Sequence, residues 1–373
     1  MNKKMIALLL SLYCTVLLCG CNTFNNEYMV IEDYRPSVQE ESRKDGKIVV
    51  KNYAALKKAL LSMAYEGKTE GSIVFDSAYD GDTTEDMASA CWAVRTQDAL
   101  CAYCVENIAY EINKIVTINE ASVYISYSEV TASPENIRHM SFSSAAENIL
   151  KTAMLGGQKQ VVLLVEHSDY SAEDMGGVIT SVYRENPTIV PVEPVSAVNM
   201  YSGSGSQRLY EISINYGLTE EEINERSAQL TAIDAFSTLD VGGLSEIERA
   251  YNACAYLVEN CALSDSRQDN TAYSALVQRQ ANSEGLAFAY VALCRQLNVD
   301  CRIVYGQLDW QDHCWNIVKV DGNYYHVDVS AAINGSFAQS FLRSDEEFWG
   351  LYRWDVASYP KCSDMLEYSD YIF

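Results

Sequence analysis

The pattern of apolar and polar positions is clearest between residues 282 and 330, where it predicts one helix followed by three strands. Four apolar residues recur at the three- and four-residue intervals of one helix face: Leu286, Tyr290, Leu293 and Leu297. Asn282 or Ser283 can cap the N-terminus of this helix. Strand-like runs follow at 301–307, 313–320 and 323–329.

The last two strands are joined by Asp321-Gly322, a dipeptide that strongly favours a two-residue hairpin loop. If these two residues form the loop, Val320 lies opposite Asn323 on the neighbouring strand. Opposed residues share one face of a sheet, and so do alternate residues along each strand. The loop therefore fixes which side chains of the hairpin lie together.

This register places His313, Trp315 and Asp328 on one face, with His313 diagonal to Asp328. A slip of one residue would put them on opposite faces. An imidazole oriented by a carboxylate is a common part of nucleophilic active sites. The missing nucleophile is expected at the helix N-terminus, where Ser283 lies and where an anion is stabilised. Ser283, His313 and Asp328 are therefore the candidate catalytic residues.

These motifs resemble the transglutaminase-like domain of bacterial surface proteins, a relative of the papain-like cysteine peptidases. In that family a Cys-x-Gly opens a helix, and His-Ala-Trp-Asn and Trp-Tyr-His-Val-Asp-x-Thr follow. This chain has Ser-Glu-Gly at 283–285, His-Cys-Trp-Asn at 313–316 and Tyr-Tyr-His-Val-Asp-Val-Ser at 324–330. The resemblance covers about residues 240–373. It implies an α+β fold, with a transglutaminase-like (papain-like) domain over residues 226–373.

The resemblance also shows a departure, since the nucleophilic cysteine of the family falls on Ser283. In the family a thiolate attacks a glutamine amide or a peptide carbonyl, and the acyl group passes to an amine or to water. A helix dipole contributes about 0.3–1 kcal/mol, which shifts a pKa by less than one unit and cannot keep an alcohol ionised. The favoured interpretation is a non-catalytic domain that retains its cleft for binding. An active Ser-His-Asp hydrolase or acyltransferase and a purely structural envelope module are the alternatives.

A binding cleft would be expected to have aromatic walls. The candidates are Tyr273, Trp310, Trp315 and Tyr324. Tyr273 is included because the family often has an aromatic residue about ten positions before the nucleophile. The expected partner is a peptide or protein at the cell surface or wall.

Two nearby cysteines could in principle replace the missing thiol. Cys314 neighbours His313, but strand alternation points its side chain to the opposite face. Cys294 lies about three turns along the helix from Ser283. Neither is expected to reach the carbonyl that a group at Ser283 would attack.

Residues 47–225 predict a duplicated α/β region, with repeats at about 47–137 and 138–225. Helix-like runs at 53–64 and 142–154 are followed by apolar strands at 72–75 and 161–165. Glu85-Asp86-Met87 recurs as Glu173-Asp174-Met175. Because neither repeat combines a nucleophile with a base, this region is interpreted as a spacer or recognition module.

Residues 1–21 predict a lipoprotein signal peptide, with a basic start, an apolar stretch too short to span a bilayer and Leu18-Cys19-Gly20-Cys21 at its end. This ending resembles a bacterial lipobox, which implies a lipid on Cys21. An ordinary cleaved signal peptide is the alternative. Residues 22–46 are polar and predict a tether. The expected location is the extracytoplasmic side of the cell membrane, through a lipid anchor.

Composition limits the partners and cofactors. The net charge of −24 and the lack of a basic patch exclude nucleic acid as an expected partner. Cys101-x-x-Cys104 could form a redox pair or half a metal site, but no second pair or nearby histidine completes a zinc site. Structural thiols or a local disulfide are favoured, and Cys294 could pair with Cys301. No metal and no cofactor is expected.

Overall fold

A computed structural model describes residues 43–44, 46–115, 118–186, 192–237 and 240–366 of the 373-residue chain. The predicted signal peptide, Cys21 and most of the predicted tether lie outside these residues. Within the described ranges, no helix is long and apolar enough to cross a membrane. Two α/β units are followed by an α+β C-terminal domain.

The first unit contains a five-stranded sheet in the order β1-β2-β3-β5-β4. Its strands are β1 Arg43–Lys44, β2 Lys47–Val50, β3 Glu70–Phe75, β4 Val105–Ile115 and β5 Ile118–Tyr127. Its helices are α1 Tyr53–Tyr65, α2 Thr83–Gln97 and α3 Ala99–Cys104. β2 and β3 are parallel, whereas β5 is antiparallel to both β3 and β4.

The second unit has a four-stranded sheet in the order β6-β7-β9-β8. Its strands are β6 Arg138–Phe142, β7 Gln160–His167, β8 Val195–Ser202 and β9 Arg208–Asn215. Its helices are α4 Ala146–Leu155 and α5 Ala172–Glu185. The first two strands are parallel and the last one is antiparallel to both of its neighbours. Apart from β1 and α3, which have no counterpart in the second unit, the two units share one order of helices and strands and one pattern of strand pairing.

Both faces of the second sheet are covered, because β7 is an almost continuous apolar run. Val161, Leu163 and Val165 pack into a core that includes α4, α5 and the C-terminal domain. Val162 and Leu164 pack into the core of the first unit. The second unit thus lies between the first unit and the C-terminal domain.

The C-terminal domain is built on the antiparallel sheet β14-β13-β12-β15. Its strands are β12 Asp300–Leu308, β13 Gln311–Val320, β14 Asn323–Val327 and β15 Tyr352–Trp354, with the short parallel pair β10 Ala262–Leu263 and β11 Gln280–Ala281 beside them. Helix α6, Glu220–Thr231, connects the second unit to this domain. The helices of the domain are α7 Glu246–Asn260, α8 Ala272–Leu276, α9 Ser283–Gln296, α10 Val329–Ala331, α11 Phe337–Ser340 and α12 Asp345–Phe348.

The predicted register is confirmed. Val320 pairs with Asn323, and the loop residues Asp321 and Gly322 have φ angles of 50° and 87°, as a type I′ turn requires. β14 ends at Val327, earlier than predicted, since the next residue caps α10.

The central helix α9 packs on one face of the sheet and is buried almost all round, from Gly285 to Cys294. Asn282 is its N-cap, and its side-chain oxygen accepts hydrogen bonds from the backbone N–H groups of Glu284 and Gly285, both at 3.1 Å. An aromatic cluster that includes Trp315, Phe348 and Tyr352 covers the opposite face of the sheet. Helix and cluster together fix where the N-terminus of α9 meets β13.

Gly306 allows β15 and Trp315 to approach β12. A Cβ atom at this position would lie 2.3 Å from the Arg353 carbonyl oxygen and 2.6 Å from the Trp315 ring. We therefore expect Gly306→Ala to lower the free energy of unfolding by about 1–3 kcal/mol, because the backbone and the buried ring cannot both move aside. Urea unfolding measures the change. Gly176→Ala in α5 is the control: it meets no atom within 4 Å and should stabilise the chain, by up to about 1 kcal/mol.

Candidate active site

His313 and Asp328 form a hydrogen-bonded pair at the end of the C-terminal sheet. The Nε2 atom of His313 lies 2.7 Å from the Oδ2 atom of Asp328. The imidazole side chain is 12% exposed and the carboxylate 1% exposed. The diagonal relation that the hairpin register predicts is therefore present.

The Asp328 carboxylate is held by further donors. The Ser330 hydroxyl donates to Oδ1 at 2.6 Å, the Tyr352 hydroxyl to Oδ2 at 2.8 Å and the Ala331 backbone N–H to Oδ1 at 3.1 Å. Burial disfavours the charged form, yet the hydrogen bonds, above all the one with His313, bring the pKa of Asp328 below its usual value. Asp328 is consequently an anion at neutral pH.

This anion sets the tautomer of the histidine. A carboxylate only accepts hydrogen bonds, so in the neutral imidazole of His313 the proton is on Nε2 and Nδ1 keeps a lone pair. The imidazole ring stacks on Trp315, with ring centroids 6.2 Å apart and planes at 25°. Tyr352 packs against it edge-on. Its orientation is therefore fixed by the carboxylate and by two aromatic rings.

Ser283 is the first residue of α9, and its side chain is not used as the helix cap because Asn282 takes that role. Its Oγ atom accepts a long hydrogen bond of 3.4 Å from the backbone N–H of Cys314. It makes no hydrogen bond to His313, although both residues line one cavity of about 1140 Å³. The structure thus places Ser283 and His313 on one cleft, with the serine unpaired from the base and Asp328 buried behind the imidazole.

The cavity wall also includes residues that the sequence did not point to. Tyr352 and Ser330, which hold Asp328, are among them. Tyr305 of β12 carries the Arg184 guanidinium over its ring at 4.0 Å, and Arg184 comes from α5 of the second α/β unit. The Glu284 carboxyl lies beside Ser283, and burial, followed by the nearby Glu193 carboxylate, raises its pKa. The cleft is therefore lined by charged groups as well as aromatic rings.

The structure corrects the predicted cleft aromatics. Trp315 is fully buried beneath His313, so it supports the imidazole and cannot contact a ligand directly. The buried Tyr273 hydroxyl donates to Gln229, and Tyr324 lies under Lys319. Trp310 is 71% exposed at the β12–β13 turn, where Arg353 covers its ring. The aromatic walls are formed instead by residues 305 and 352.

Cys314 lines the cavity but is not an activated thiol. Burial raises the pKa of this thiol well above its usual range, and the negative charge of Glu284 adds to the shift. The thiolate is the reactive form of cysteine, so Cys314 is a poor nucleophile at neutral pH. The prediction that strand alternation keeps Cys314 away from the site is wrong, because Cys314 lines the same cavity as Ser283. That Cys314 does not replace the missing thiol stays a prediction.

The other cysteines of the described residues are also free thiols. Cys101 and Cys104 are buried, and burial raises the pKa of both thiols, Cys104 to about 12. Cys294 and Cys301, which the sequence allowed as a disulfide, are hydrogen-bonded thiols in this structure. They are part of the core between α9 and β12.

His326, Asp345 and Cys362 form the cluster that most resembles a metal site in the described residues. Trp315 Nε1–H donates to Nδ1 of His326 at 3.0 Å, so the proton of the neutral imidazole is on Nε2. This Nε2–H donates to Asp345 at 2.9 Å. Both ring nitrogens are therefore used, and no lone pair is directed at an ion. The cluster anchors the C-terminal segment to the sheet.

His326 should make stability depend on pH. Burial lowers the pKa of this histidine, so the unfolded chain binds a proton below about pH 6.5 that the folded chain does not. The free energy of unfolding is then expected to fall as the pH drops below this value, by at most about 1.4 kcal/mol per pH unit. Urea unfolding across this range measures the slope. In His326→Asn the slope should decrease; an unchanged slope would assign it to other groups.

Comparison with known families identifies a domain. The family model described as the Transglutaminase-like superfamily matches residues 237–329, which contain Ser283, His313 and Asp328. The chain therefore contains a transglutaminase-like domain, and the α+β fold with this domain near the C-terminus is confirmed. A search of curated proteins finds no match.

Solved structures show only distant similarity. A proposed cysteine protease from Cytophaga hutchinsonii is 10% identical with a TM-score of 0.24, and the alignment covers 37% of this chain and 64% of that chain. A structure described as a TGase is 9% identical with a TM-score of 0.23, and the alignment covers 61% of this chain and 67% of that chain. A structure of menin that reveals its binding site for Mixed Lineage Leukemia (MLL) protein is 25% identical with a TM-score of 0.23. The alignment covers 30% of this chain and 26% of menin. The chain thus spans under two thirds of the first of these proteins.

Proposed function

We propose that the transglutaminase-like domain binds a peptide segment in the cleft between Ser283 and His313 and does not transfer acyl groups. The observation that carries this proposal is the unpaired serine. A hydroxyl occupies the nucleophile position and has no hydrogen bond to the base, whereas the His313–Asp328 pair is intact. The His313–Asp328 pair thus lies beside a nucleophile position whose own side chain does not ionise near neutral pH.

The chemistry of the hydroxyl supports this proposal. An alcohol attacks a carbonyl only when a base removes its proton, and the base must lie within hydrogen-bond reach. The partner of Ser283 Oγ is a backbone N–H, which is a donor and cannot take a proton. The helix dipole contributes about 0.3–1 kcal/mol, far less than an alcohol needs for ionisation.

The cleft supports peptide binding because its groups match a polypeptide. Its volume of about 1140 Å³ accommodates several residues of an extended chain. The Ser283 hydroxyl and the free Nδ1 of His313 offer a donor and an acceptor to peptide groups. Tyr305 offers an aromatic surface, and Arg184 and Glu284 offer charges of both signs.

A Ser-His-Asp hydrolase is the second candidate, and one observation favours it. Asp328 fixes His313 in the tautomer with a free Nδ1, which is the form that a general base needs. Hydrogen bonds of active sites are often long in the free enzyme and shorten only with substrate. A rotation of the Ser283 side chain would therefore be required before catalysis.

One pair of measurements separates these functions. Immobilised protein is incubated with a synthetic glutamine-containing peptide library, and retained peptides are identified by mass. Wild type should retain peptides of unchanged mass, and Ser283→Trp should lose them, whereas Thr96→Trp on the exposed face of α2 should not. Fluorophosphonate labelling of wild type that disappears in Ser283→Ala would establish the hydrolase. Equal retention by all variants would place the binding outside the cleft, and no retention by wild type, without labelling, would leave a structural module.

The location is part of the same proposal: the domain works outside the cytoplasm, held at the membrane by a lipid on Cys21. The motivation is the lipobox-like sequence at residues 18–21. Cys21→Ala is expected to move the protein from the membrane fraction to the soluble fraction, because one buried methylene contributes about 0.8 kcal/mol and the acyl chains supply the anchor. Membrane retention of this variant with an intact lipid on another residue would contradict the assignment.

A further inference from the structure

A second groove adjoins the candidate active-site cleft. It has a volume of about 820 Å³ and lies between α5 of the second α/β unit and β12 of the C-terminal domain. Arg184 and Tyr305 line both the groove and the cleft, so the two spaces meet at this stacked pair. A chain in the groove would therefore lead into the cleft.

The β12 strand presents an open edge to this groove. On the side away from β13, β15 pairs only with residues 306–308, and no strand of the described residues pairs with residues 301–305. The Tyr305 N–H on this side donates to the Tyr359 hydroxyl at 3.1 Å, and the Asp309 N–H donates to the Leu351 carbonyl at 3.0 Å. These two bonds show that odd-numbered residues of β12 direct their backbone groups away from β13.

By the same alternation, the N–H and C=O groups of Cys301 and Ile303 point to the open edge. Both residues line the groove. An extended peptide can bind such an edge as an added strand, through backbone hydrogen bonds that tolerate many sequences. The groove thus offers the main-chain part of a peptide site.

The charge of the groove indicates which peptides fit. Four cationic side chains line it, Lys151, Arg184, Arg295 and Arg302, against the two carboxylates of Glu147 and Glu185. In the described part of the chain, none of these cations forms a salt bridge. A cationic excess is unusual on a chain of net charge −24. It would attract a ligand that carries carboxylates.

We propose that the groove binds an extended peptide with acidic side chains, which adds as a strand beside Cys301 and Ile303 and continues into the cleft. The inference rests on the proposed peptide binding and narrows it to a class of ligand. Arg184 is the specificity-determining residue at the junction. The central carbon of its guanidinium lies over the Tyr305 ring, 4.0 Å from the ring centroid. A guanidinium binds a carboxylate through two parallel N–H···O bonds, so Arg184 can recognise a ligand carboxylate.

The test uses three fluorescein-labelled peptides and fluorescence anisotropy. The first alternates glutamate and valine, the second replaces glutamate by glutamine, and the third is the acidic peptide with alternate amides N-methylated. Wild type should bind the acidic peptide about tenfold more tightly than either other peptide, since several ion pairs and main-chain hydrogen bonds are lost. Raising the salt concentration should weaken the binding of the acidic peptides and leave the binding of the glutamine peptide unchanged.

Variants assign the binding to the groove. Lys151→Glu combined with Arg302→Glu should weaken the acidic peptide about tenfold, whereas Lys58→Glu on the exposed surface of α1 should not change its affinity. Equal binding of the acidic and N-methylated peptides would overturn the strand addition. Equal binding by the Lys151/Arg302 variant and wild type, or no binding of the acidic peptide by wild type, would overturn the groove assignment.

The cleft variant Ser283→Trp distinguishes this inference from the proposed function. If binding of the acidic peptide depends on the groove cations but not on Ser283→Trp, strand addition in the groove holds, whereas its continuation into the cleft and the cleft proposal both fail. If Ser283→Trp abolishes retention of the library peptides but the groove variants leave the affinity for the acidic peptide unchanged, the cleft proposal holds and this inference fails.

Discussion

Asp328→Ala is expected to lower the free energy of unfolding of the C-terminal domain by about 3–5 kcal/mol, because each buried donor that loses its acceptor costs about 1–3 kcal/mol. The Asp328 side chain is 1% exposed. It accepts hydrogen bonds from His313, Ser330, Tyr352 and the Ala331 backbone. The alanine variant leaves these donors without their acceptor in a site that water reaches poorly. Urea unfolding at neutral pH, followed by tryptophan fluorescence, measures the loss.

Asp312→Ala is the matched control on β13. Its carboxylate is exposed, and the free energy of unfolding should change by less than about 0.5 kcal/mol. A loss below about 1 kcal/mol in Asp328→Ala would show that the carboxylate does not organise the site.

The pH dependence of this stabilisation follows from the lowered pKa of Asp328. The stabilising charge is present above the pKa of an aspartate in the unfolded chain, about 3.9. It is lost as the pH falls through the lower pKa of the folded state. The difference between wild type and Asp328→Ala should therefore be largest near neutral pH and should shrink in strong acid.

Local signals of the sequence were enough to predict the His313–Asp328 geometry. The Asp321-Gly322 loop fixed the register, and alternation along the two strands then determined which side chains share a face of the sheet. The N-cap at Asn282 and the start of α9 follow equally from short-range pattern. Each of these features depends on residues close in sequence, for which turn chemistry and capping are informative.

The predicted aromatic walls failed because they depend on segments far away in the sequence. Alternation correctly places Trp315 on the face of His313, but it cannot show that residues 345–354 return to cover that face. Arg184 could not be linked to the cleft either, since the second α/β unit reaches it only through the packing of two domains. In the same way, the predicted helix 142–154 begins at Ala146, because residues 138–142 pair with β7.

If the cleft of this domain is intact apart from its nucleophile, a thiol introduced by Ser283→Cys should behave as an activated cysteine. A thiol at the N-terminus of α9, in the cavity that His313 also lines, has the surroundings that lower a cysteine pKa. The imidazole would take the thiol proton, and the ion pair would be stabilised by the helix N-terminus and by Asp328. The new cysteine should therefore be ionised in part below neutral pH.

The measurement is the pH profile of iodoacetamide alkylation at residue 283, read by peptide mapping against wild type, whose other thiols provide the background. Ser283→Cys should be alkylated below neutral pH, faster than an exposed reference thiol, and this advantage should be lost when Ser283→Cys is combined with His313→Ala. Alkylation at residue 283 only above the ordinary thiol pKa of about 8.5, with or without His313, would show that the cleft has lost more than its nucleophile.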